Sequence, residues 1–246
     1  MQILRNFISN ILDRHPGLFY RAKYWDLFLH KKLKILYERD FKLLQSLIHK
    51  SDPTIIDVGA NIGQSIIDFS ILFPSSKIIS FEANKNLKDY LEFVSKHAEC
   101  SVEIILKGLS RVESTKTLYI PIRNSVYIFG EASFDKTEFF RNGLENRIGK
   151  YNIDSINVST LIFDNLKIKP DIIKIDVQGH EFSVLQGMTE TINFGKPVFI
   201  IERSCNDLEI IHFLSRYSYQ FYIPLSGSLV SYSKGLMTTN MFCVPK

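Results

Sequence analysis

Residues 54–63, TIIDVGANIG, constrain the fold of this chain more than any other stretch. Residues 54–58 are an apolar run typical of a strand buried on both faces, and a helical pattern follows from Gln64 to Phe73. The turn between them is Gly59-Ala60-Asn61-Ile62-Gly63. A residue without a Cβ lets the backbone approach a ligand closely, and free N–H groups at a helix start present partial positive charge. The stretch therefore predicts a strand, a glycine turn and a helix that bind a polar, adenosine-like ligand.

The spacing of this turn favours one class of adenosine ligand over another. Dinucleotide-binding turns follow G-x-G-x-x-G, whereas Gly59 and Gly63 have three residues between them and Asp57 stands two residues before Gly59. An acid at a strand end can bind an ammonium group, which an aminoacyl ligand carries and a pyrophosphate lacks. S-adenosylmethionine fits this pattern better than NAD, and a nicotinamide-dependent oxidoreductase is the alternative enzyme class.

A second strand is predicted over Lys77–Phe81, and Glu82 follows it directly. In a βαβ unit, a carboxylate at the end of the second strand faces the ligand of the first, where it can bind both ribose hydroxyls. Glu82 is therefore a predicted cofactor ligand. The alternative is a solvated acid that opens the next loop.

Residues 171–188, DIIKIDVQGHEFSVLQGM, are the second informative stretch. Lys174 and Asp176 lie two residues apart in a predicted buried strand, so their side chains point the same way and need a partner or a function. Parallel strands end at one edge of a sheet, so this strand should end beside the Gly59 turn. The side chains predicted to surround the reacting carbon are those of Asp176, Gln178, His180 and Glu181. The alternative is structural: a Lys174–Asp176 ion pair and a helix-capping Glu181.

The same stretch supplies the candidate catalytic groups. Asp176 is the first choice to orient an acceptor hydroxyl or take its proton, and His180 is the second, because a histidine in such a crevice is expected to titrate near neutrality. Lys174 would keep Asp176 ionised. A divalent metal bound through the oxygens of Asp176, Gln178 and Glu181 is a further hypothesis.

Regular patterning weakens between Ser110 and Ser159. A long irregular stretch inside a compact domain is usually functional or disordered, and five aromatic residues here argue against disorder. They are Tyr127, Phe129, Phe134, Phe139 and Phe140. We predict that Pro121–Lys150 is the lid or wall of the acceptor pocket and that Ser133 binds substrate; an ordinary surface insertion is the alternative. Glu202, at the end of a predicted strand, is another candidate on the acceptor side.

Positive charge is concentrated at the front of the chain. Residues 1–50 contain ten Lys or Arg and four acids, whereas the whole chain has a net charge of +4. Apolar residues recur at helical spacing over 3–12 and 24–36, on either side of Pro16-Gly17. We predict a helical extension over residues 1–50 and a separate domain over residues 51–246. The basic amphipathic helices can lie on an anionic membrane surface, and the alternative is packing on the domain or on a second subunit of a homo-oligomer.

Composition excludes several classes of protein. With 45% apolar residues the chain can bury a sizeable core, yet no segment approaches the ~20 apolar residues that cross a bilayer, and charges interrupt the first fifteen residues. Neither a membrane span nor a signal peptide is expected. Three cysteines without metal spacing indicate idle thiols in a reducing compartment, so a cytoplasmic protein is expected, peripheral at the inner membrane face if the helices bind lipid. The lysines are not interleaved with a stacking motif, so no nucleic acid partner is expected.

Five sequence blocks, in order, resemble the FkbM-type methyltransferases. The blocks are Asp57–Gly63, Phe81-Glu82-Ala83, Thr160–Leu166, Lys174–Gly187 and Ile201-Glu202. The resemblance covers about residues 54–246. It implies an α/β, Rossmann-like class I methyltransferase fold: a mostly parallel seven-stranded sheet with helices on both faces, here preceded by the N-terminal helical extension.

The resemblance also implies an activity and assigns residues to it. It implies S-adenosylmethionine-dependent O-methylation of a hydroxyl, commonly on a sugar, glycan or glycolipid, with a polyketide-type metabolite as the alternative acceptor. By position it assigns the methionine moiety to Asp57, Gly59, Ala60, Asn61 and Gly63. Glu82 would hold the ribose, and Ser110, in Gly108-Leu109-Ser110-Arg111 where the family has A-L-S-D, would lie on the cofactor side. A non-catalytic scaffold for glycan assembly at the membrane is the non-enzyme alternative.

Overall fold

The computed structural model describes residues 15–204, 206–233, 235–236 and 238–246. The amphipathic pattern predicted over residues 3–12 lies outside this part of the chain, as does Cys205. In chain order the strands are β1 (Thr54–Val58), β2 (Lys77–Phe81), β3 (Ser101–Ile105), β4 (Gly108–Leu109), β5 (Ser114–Arg123), β6 (Val126–Tyr127), β7 (Asn152–Leu161), β8 (Ile172–Ile175), β9 (Val198–Glu202), β10 (Tyr219–Leu225), β11 (Ser228–Ser231) and β12 (Asn240–Pro245).

Helices connect most of these strands. They are α1 (Pro16–Leu33), α2 (Gln64–Leu72), α3 (Lys88–His97), α4 (Thr137–Arg141), α5 (Leu144–Ile148), α6 (Glu181–Gln186) and α7 (Asp207–Ser215). Shorter 3₁₀ segments span Arg39–Ser46, Lys85–Leu87, Phe129–Glu131 and Phe163–Leu166, and a π-helical turn spans Thr191–Gly195. The described residues contain no helix that is both long enough and apolar enough to cross a bilayer.

The main sheet has the predicted, mostly parallel topology. Among the described residues its strands lie in the order β11-β10-β12-β9-β8-β1-β2-β3, and the five from β3 to β9 are parallel. Strand β10 pairs antiparallel with β12. The sheet has eight strands rather than seven because β10 and β11 form a hairpin whose two loop residues, Ser226 and Gly227, both have positive φ, as a tight primed turn requires.

Strands β1 and β8 lie side by side, as expected from the sequence. Asp57 is in register with Lys174, so the chain leaves both strands at the same edge of the sheet. Gly59 has a φ of 81°, and a Cβ built there would lie 1.8 Å from the carbonyl oxygen of Asp176. Because no side chain fits in that space, the glycine turn after β1 can rest directly on the end of β8.

Both faces of the parallel strands are covered, which explains their nearly continuous apolar sequences. Ile55 and Ile172 face a fully buried cluster that includes Phe69 of α2. Ile56 and Ile173 face a second cluster on the opposite side of the sheet. The site residues at the strand ends are therefore anchored by a core on each side.

The stretch predicted to be irregular forms a second sheet with the strand order β4-β7-β5-β6. Strands β5 and β7 pair antiparallel over nine residues, from Ser114–Thr160 to Ile122–Asn152. Side chains of β7 alternate between the buried and exposed faces, but only Ile156 and Val158 are apolar residues on its inner face. A strand with so few apolar residues gives a weak periodic pattern, so the sequence did not predict it.

Helix α1 packs on the domain through one face only. Leu27 is fully buried, and the ring of Tyr24 stacks on Tyr90 of α3 at 4.3 Å. Tyr20 joins α1 to two other elements, because its carbonyl accepts a hydrogen bond from the Tyr90 hydroxyl and its own hydroxyl accepts one from the backbone N–H of Tyr127, both at 3.1 Å. We call these two bonds the Tyr20 latch. Trp25, which belongs to the apolar repeat over residues 24–36, is 65% exposed.

The segment that follows α1 turns back toward the ends of the strands. The backbone N–H groups of Tyr37 and Glu38 donate to the two carboxylate oxygens of Asp68 at 2.9 and 2.8 Å, and Phe41 stacks on Phe69. Burial is the main reason that the pKa of Asp68 is raised to about 7, and these two hydrogen bonds oppose the rise. The extension therefore contributes directly to the surroundings of the site.

Candidate functional site

Two cavities open at the carboxyl edge of the parallel strands. The first, the Glu82 cavity, encloses about 620 Å³ of space including its open mouth. Its walls combine the end of β1, the residues after β2, β4 and the second sheet. They include Val58, Phe81, Glu82, Ala83, Gly108, Leu109, Leu118, Phe129, Ala132, Phe134, Gln178 and His180.

The second cavity, the Glu202 cavity, encloses about 550 Å³. Its walls come from the N-terminal extension, the start of α2, the end of β9 and the start of β12. They include Tyr37, Glu38, Phe41, Ala60, Gln64, Ser65, Lys174, Glu202, Thr239 and Asn240. Carboxyl and amide groups predominate here, whereas rings and small residues predominate in the Glu82 cavity.

Three residues, Gly59, Asn61 and Asp176, line both cavities. The Asp176 side chain is 37% exposed toward this space, although it follows a strand that is buried throughout. The glycine turn meets the end of β8, as predicted, and the residues at this contact form the wall between the two cavities. Groups bound on either side of this wall would meet at Asp176.

Glu82 is held by the backbone and faces the first cavity. Its Oε2 accepts a hydrogen bond from the N–H of Asn61 and its Oε1 from the N–H of Asn84, each at 2.7 Å. Burial raises the pKa of Glu82, and these two bonds together with Lys174 oppose the rise. Each carboxylate oxygen retains a second lone pair, so the carboxylate can still accept two hydrogen bonds from a ligand diol.

The Glu82 cavity fits an adenosine-containing ligand. The Oδ1 atom of Asn61 is buried and has no hydrogen-bond partner among the described residues, so a ligand donor would satisfy it. Phe129 and Phe134 supply ring surfaces for a planar base. The fixed Glu82 carboxylate, the orphaned amide oxygen and the aromatic wall together match a ribose and a base.

Lys174 is buried beneath the wall that the two cavities share. Its Nζ donates to the carbonyl of Gly59 at 2.8 Å and lies 3.4 Å from Asp57 and 3.6 Å from Asp176. Burial lowers the pKa of Lys174, but the interactions with Asp176, Asp57 and Glu202 raise it by more than burial lowers it. The ammonium therefore stays charged. The predicted structural ion pair between Lys174 and Asp176 is present, and Lys174 is positioned to keep Asp176 ionised.

The position of Asp57 corrects one sequence-based assignment. Its side chain is fully buried, and its Oδ2 accepts hydrogen bonds from Ser65 at 2.7 Å and Ser80 at 3.3 Å. Asp57 does not line either cavity, so it is not placed to contact an ammonium group of a ligand. Its carboxylate instead holds Lys174 and the start of α2 beneath the glycine turn.

Asp176, Gln178 and Glu202 form a hydrogen-bonded group on the other side of the wall. The amide nitrogen of Gln178 donates to Asp176 at 3.2 Å and to Glu202 at 2.8 Å. Burial raises the pKa of Glu202 well above its usual range, and the neighbouring Asp176 raises it further. Burial also favours the neutral form of Asp176, but Lys174, Glu202 and Gln178 outweigh it and lower the pKa. Asp176 is thus the ionised member of the pair and Glu202 the protonated one.

The three predicted metal ligands are not arranged as a ligand set. Gln178 presents its amide nitrogen to Asp176, and Glu181 is fully buried with its Oε1 accepting the N–H groups of Val177 and Gly179 at 3.2 and 3.0 Å. Within the described residues, no group of three or more His, Cys, Asp or Glu side chains could hold a metal ion. Glu181 therefore braces the loop after β8, which is a structural role but not the helix cap of the alternative interpretation, because Val177 and Gly179 both precede the first residue of α6.

His180 lies in the Glu82 cavity, and its expected titration near neutrality is wrong for this environment. Burial, followed by Lys116 and Arg111, lowers its pKa to about 4. The ring contacts Phe134, and its Nε2 lies 3.2 Å from the hydroxyl of Ser110. His180 lines the Glu82 cavity alone, whereas Asp176 lines both cavities, so position favours Asp176 over His180 as the acceptor of an alcohol proton.

Several other predicted contacts have structural roles here. The Ser110 hydroxyl bonds Ser183 as well as His180 and lies behind the cavity wall, where Gly108 and Leu109 take the lining positions. The Ser133 hydroxyl donates to the carbonyl of Gln178 at 2.7 Å and lines neither cavity, which corrects its assignment to substrate. Gly63 starts α2 with a φ of 93°, and Ala60 lines the Glu202 cavity.

The segment Pro121–Lys150, predicted to be the lid or wall of the acceptor pocket, lines the other cavity. Phe129, Ala132 and Phe134 cover the Glu82 cavity, so this segment walls the side expected for the cofactor rather than the acceptor. The Glu202 cavity is walled instead by Glu38 and Tyr37 of the extension and by Asn240, whose amide lies 3.4 Å from Glu38. Sequence reasoning missed these three residues because none belongs to a motif: Tyr37 and Glu38 lie in the N-terminal extension, and Asn240 starts the antiparallel strand β12.

Comparisons with known proteins agree with this geometry. A family model described as the methyltransferase FkbM domain matches residues 57–221. The hexuronic acid methyltransferase AglP of Haloferax volcanii is 29% identical over 150 residues, which are 59% of this chain and 55% of that protein. The chain thus spans about half the length of this curated relative.

A solved structure shares the fold. The methyltransferase FkbM from Methylobacillus flagellatus superposes with a TM-score of 0.53 and 15% identity, over 85% of this chain and 46% of the other. At this identity the similarity concerns the architecture alone. The Rossmann-like α/β fold expected from the sequence is confirmed.

Proposed function

We propose a function from the premise that this chain belongs to the FkbM methyltransferase family. The proposed function is S-adenosylmethionine-dependent O-methylation of a hydroxyl of a saccharide. The observation that carries the proposal is the wall of Gly59, Asn61 and Asp176, which separates a cavity suited to adenosine from one lined by carboxyl groups. A methyl donor on one side and a hydroxyl on the other would be brought together beside Asp176.

The Glu82 cavity would hold the cofactor. Glu82 would accept hydrogen bonds from the ribose hydroxyls, Phe129 and Phe134 would enclose the adenine, and the turn from Gly59 to Asn61 would contact the methionine part. When bound, S-adenosylmethionine supplies a methyl group on a sulfonium that is already a good leaving group. The main task of the protein is then to orient the acceptor, and orientation can contribute up to ~7–11 kcal/mol in well-aligned reactions.

Asp176 would handle the proton of the acceptor. Its carboxylate would accept a hydrogen bond from the hydroxyl, aim the oxygen at the shared wall and take the proton as the O–H bond breaks. Lys174, 3.6 Å away, keeps this carboxylate ionised, and Gln178 fixes its orientation. Glu202, which is protonated, would donate a hydrogen bond instead of competing for the same proton.

The Glu202 cavity would hold the acceptor. Its carboxyl groups from Glu38, Asp176 and Glu202 offer several acceptors for the hydroxyls of a sugar ring. The name of the Haloferax relative, a hexuronic acid methyltransferase, supports a saccharide as the acceptor class. The finer choices, including which hydroxyl is methylated and whether the saccharide is lipid-linked, are for the experiment to decide.

The experiment is a methyl-transfer screen with isotope-labelled S-adenosylmethionine and a panel of free and lipid-linked saccharides, read by mass spectrometry. We expect a labelled methyl ether on at least one saccharide. Asp176→Asn should lower kcat by about 10²–10⁴-fold while cofactor affinity, measured by calorimetry, changes little. Glu103→Gln, an exposed carboxylate of β3 remote from both cavities, is the matched control.

Two results would contradict the proposal. A wild-type rate for Asp176→Asn would remove this carboxylate from the reaction. Thermal stabilisation by a nicotinamide dinucleotide, without stabilisation by S-adenosylmethionine, would assign the Glu82 cavity to the other adenosine ligand.

A further inference from the structure

Helix α1 carries a second apolar face, opposite the one that packs on the domain. Leu18, Trp25, Leu29 and Leu33 recur at helical spacing and are 52%, 65%, 47% and 61% exposed. Successive residues of a helix are rotated by about 100°, which places these four on the side away from the fully buried Leu27. We call them the α1 stripe. A contiguous exposed apolar surface of this kind marks an interaction site.

Basic groups lie beside the stripe and beyond its end. Arg21 and Lys32 stand along one edge of it on the same helix, and an open cleft of about 1130 Å³ begins where the stripe ends. The charged residues that line this cleft are Lys34, Arg39, Asp40 and Lys42. Asp26, 46% exposed, stands along the other edge and accepts a hydrogen bond from the Tyr37 hydroxyl. An apolar face with cations along one edge and beyond its end complements a surface that presents anionic headgroups above hydrocarbon.

We propose that the α1 stripe and the adjoining basic cleft dock the protein on the surface of an anionic membrane. Trp25, the most exposed residue of the stripe, would lie at the level of the headgroups, where the amphipathic indole is favoured. The Nζ of Lys32 lies 5.8 Å from the centre of the Phe28 ring, so the side chain follows apolar surface, and a change of rotamer would bring the ammonium to the headgroups.

The geometry links this surface to the site. Within the segment after α1, Tyr37 and Glu38 line the Glu202 cavity while Arg39 and Lys42 line the basic cleft. A membrane bound at the cleft would therefore lie next to the cavity assigned to the acceptor. Docking is nevertheless independent of methyl transfer, because vesicle binding requires no cofactor and no acceptor.

Tryptophan fluorescence tests the proposal directly, because Trp25 is the only tryptophan in the chain. The full chain is titrated with neutral phosphatidylcholine vesicles and with vesicles that contain about one third phosphatidylserine. We expect a blue shift of the emission and co-sedimentation with the anionic vesicles only, and at least a tenfold weaker interaction at high salt.

Variants locate the contact while keeping the reporter. The double variant Leu29→Asp/Leu33→Asp should weaken vesicle binding at least tenfold, and Arg39→Gln/Lys42→Gln should remove most of the preference for anionic lipid. Phe194→Asp changes a residue that is 80% exposed on the π-helical turn, and is the matched control with unchanged binding. Thermal unfolding of each variant checks that the fold is retained.

Three outcomes would overturn the proposal. Emission that is already blue-shifted without vesicles and independent of protein concentration would mean that residues 1–14 cover the stripe. A shift that grows with protein concentration would assign the stripe to a second copy of the chain. Equal binding of both vesicle types, or equal binding by the stripe variant and the control, would show that neither the cations nor the stripe form the contact.

Discussion

The two cavities beside Asp176 are built by different means. In the Glu82 cavity the key carboxylate is held by two backbone N–H groups, and most of the remaining wall is ring surface or small residues. In the Glu202 cavity the polar side chains hold one another: Gln178 joins Asp176 to Glu202, and Asn240 lies against Glu38.

In the Glu82 cavity the backbone fixes the position of the carboxylate, whereas in the Glu202 cavity the side chains fix one another through hydrogen bonds and charge. A carboxylate bound by backbone N–H groups keeps its position whatever surrounds it, which suits a ligand that never changes. Side chains that share protons and hydrogen bonds respond to substitution and to pH, since burial and the neighbouring Asp176 raise the pKa values of both Glu38 and Glu202. Under the proposed assignment, such a site could be adapted to different acceptors without disturbing the cofactor side.

The largest effect is expected where the cavities share a wall. Gly59→Ala should lower the free energy of unfolding by about 3–5 kcal/mol and impair both ligands together, because the new Cβ meets the Asp176 carbonyl and the φ of 81° disfavours an L side chain. Gly227→Ala is the control: it has the same φ of 81° but nothing within 4 Å of the added Cβ, so only about 1 kcal/mol should be lost. Chemical denaturation measures both, and equal losses would show that the Asp176 contact is unimportant.

A pair of variants of intermediate effect should separate the two cavities. Glu82→Gln should weaken cofactor affinity by about 10–100-fold, since hydrogen bonds to a charged group contribute roughly 1.5–3 kcal/mol. Glu38→Gln should raise the KM for the acceptor by up to about tenfold and leave cofactor affinity unchanged. Calorimetry with S-adenosylmethionine and steady-state kinetics give the two constants. If both variants change the same constant, the division into two ligand sites is wrong.

The smallest effect on activity is expected at His180. His180→Gln should change kcat by less than about tenfold and preserve the shape of its pH profile, because the ring lines the Glu82 cavity and not the Glu202 cavity proposed for the acceptor. The loss of a pH limb in the variant would return His180 to the role of base.

The same residue gives a pH dependence of stability. The pKa of His180 is lowered from 6.5 to about 4 in the folded chain, so the unfolded chain binds the proton more readily between these values. Its contribution to stability is present in full above pH 6.5 and is lost as the pH falls through about 4. His180→Gln should remove this part of the acid sensitivity in unfolding measurements at a series of pH values.

The parallel strands and the site they share could be predicted from the sequence because local chemistry specifies them. Runs such as Thr54–Val58 and Ile172–Ile175 are apolar on both faces, and parallel pairing then brings their ends together. The glycine turn, Glu82 and the cluster after β8 follow from position along such strands. The structure confirms that β1 and β8 are neighbours, as the predicted meeting of the glycine turn and the Asp176 cluster requires.

The remaining features depend on contacts between residues that are distant in sequence. Glu38 reaches the site because Asp68, thirty residues later, binds its backbone N–H. The low pKa of His180 depends on burial and on Lys116 and Arg111 near the second sheet, which the sequence did not predict. Asp57 was assigned to the ligand because an acid at a strand end can bind an ammonium group, but Lys174, Ser65 and Ser80 enclose it.

The Tyr20 latch connects the α1 stripe to the cavity proposed to hold the nucleoside. Through this one residue, the helix that bears the α1 stripe is tied to Tyr127, which stacks on Phe129 in the wall of the Glu82 cavity. If vesicle binding loosens or tightens the latch and thereby changes nucleoside affinity, nucleoside binding must change vesicle affinity by the same factor. Vesicle binding and nucleoside binding would then be two readouts of one equilibrium, linked through Tyr20.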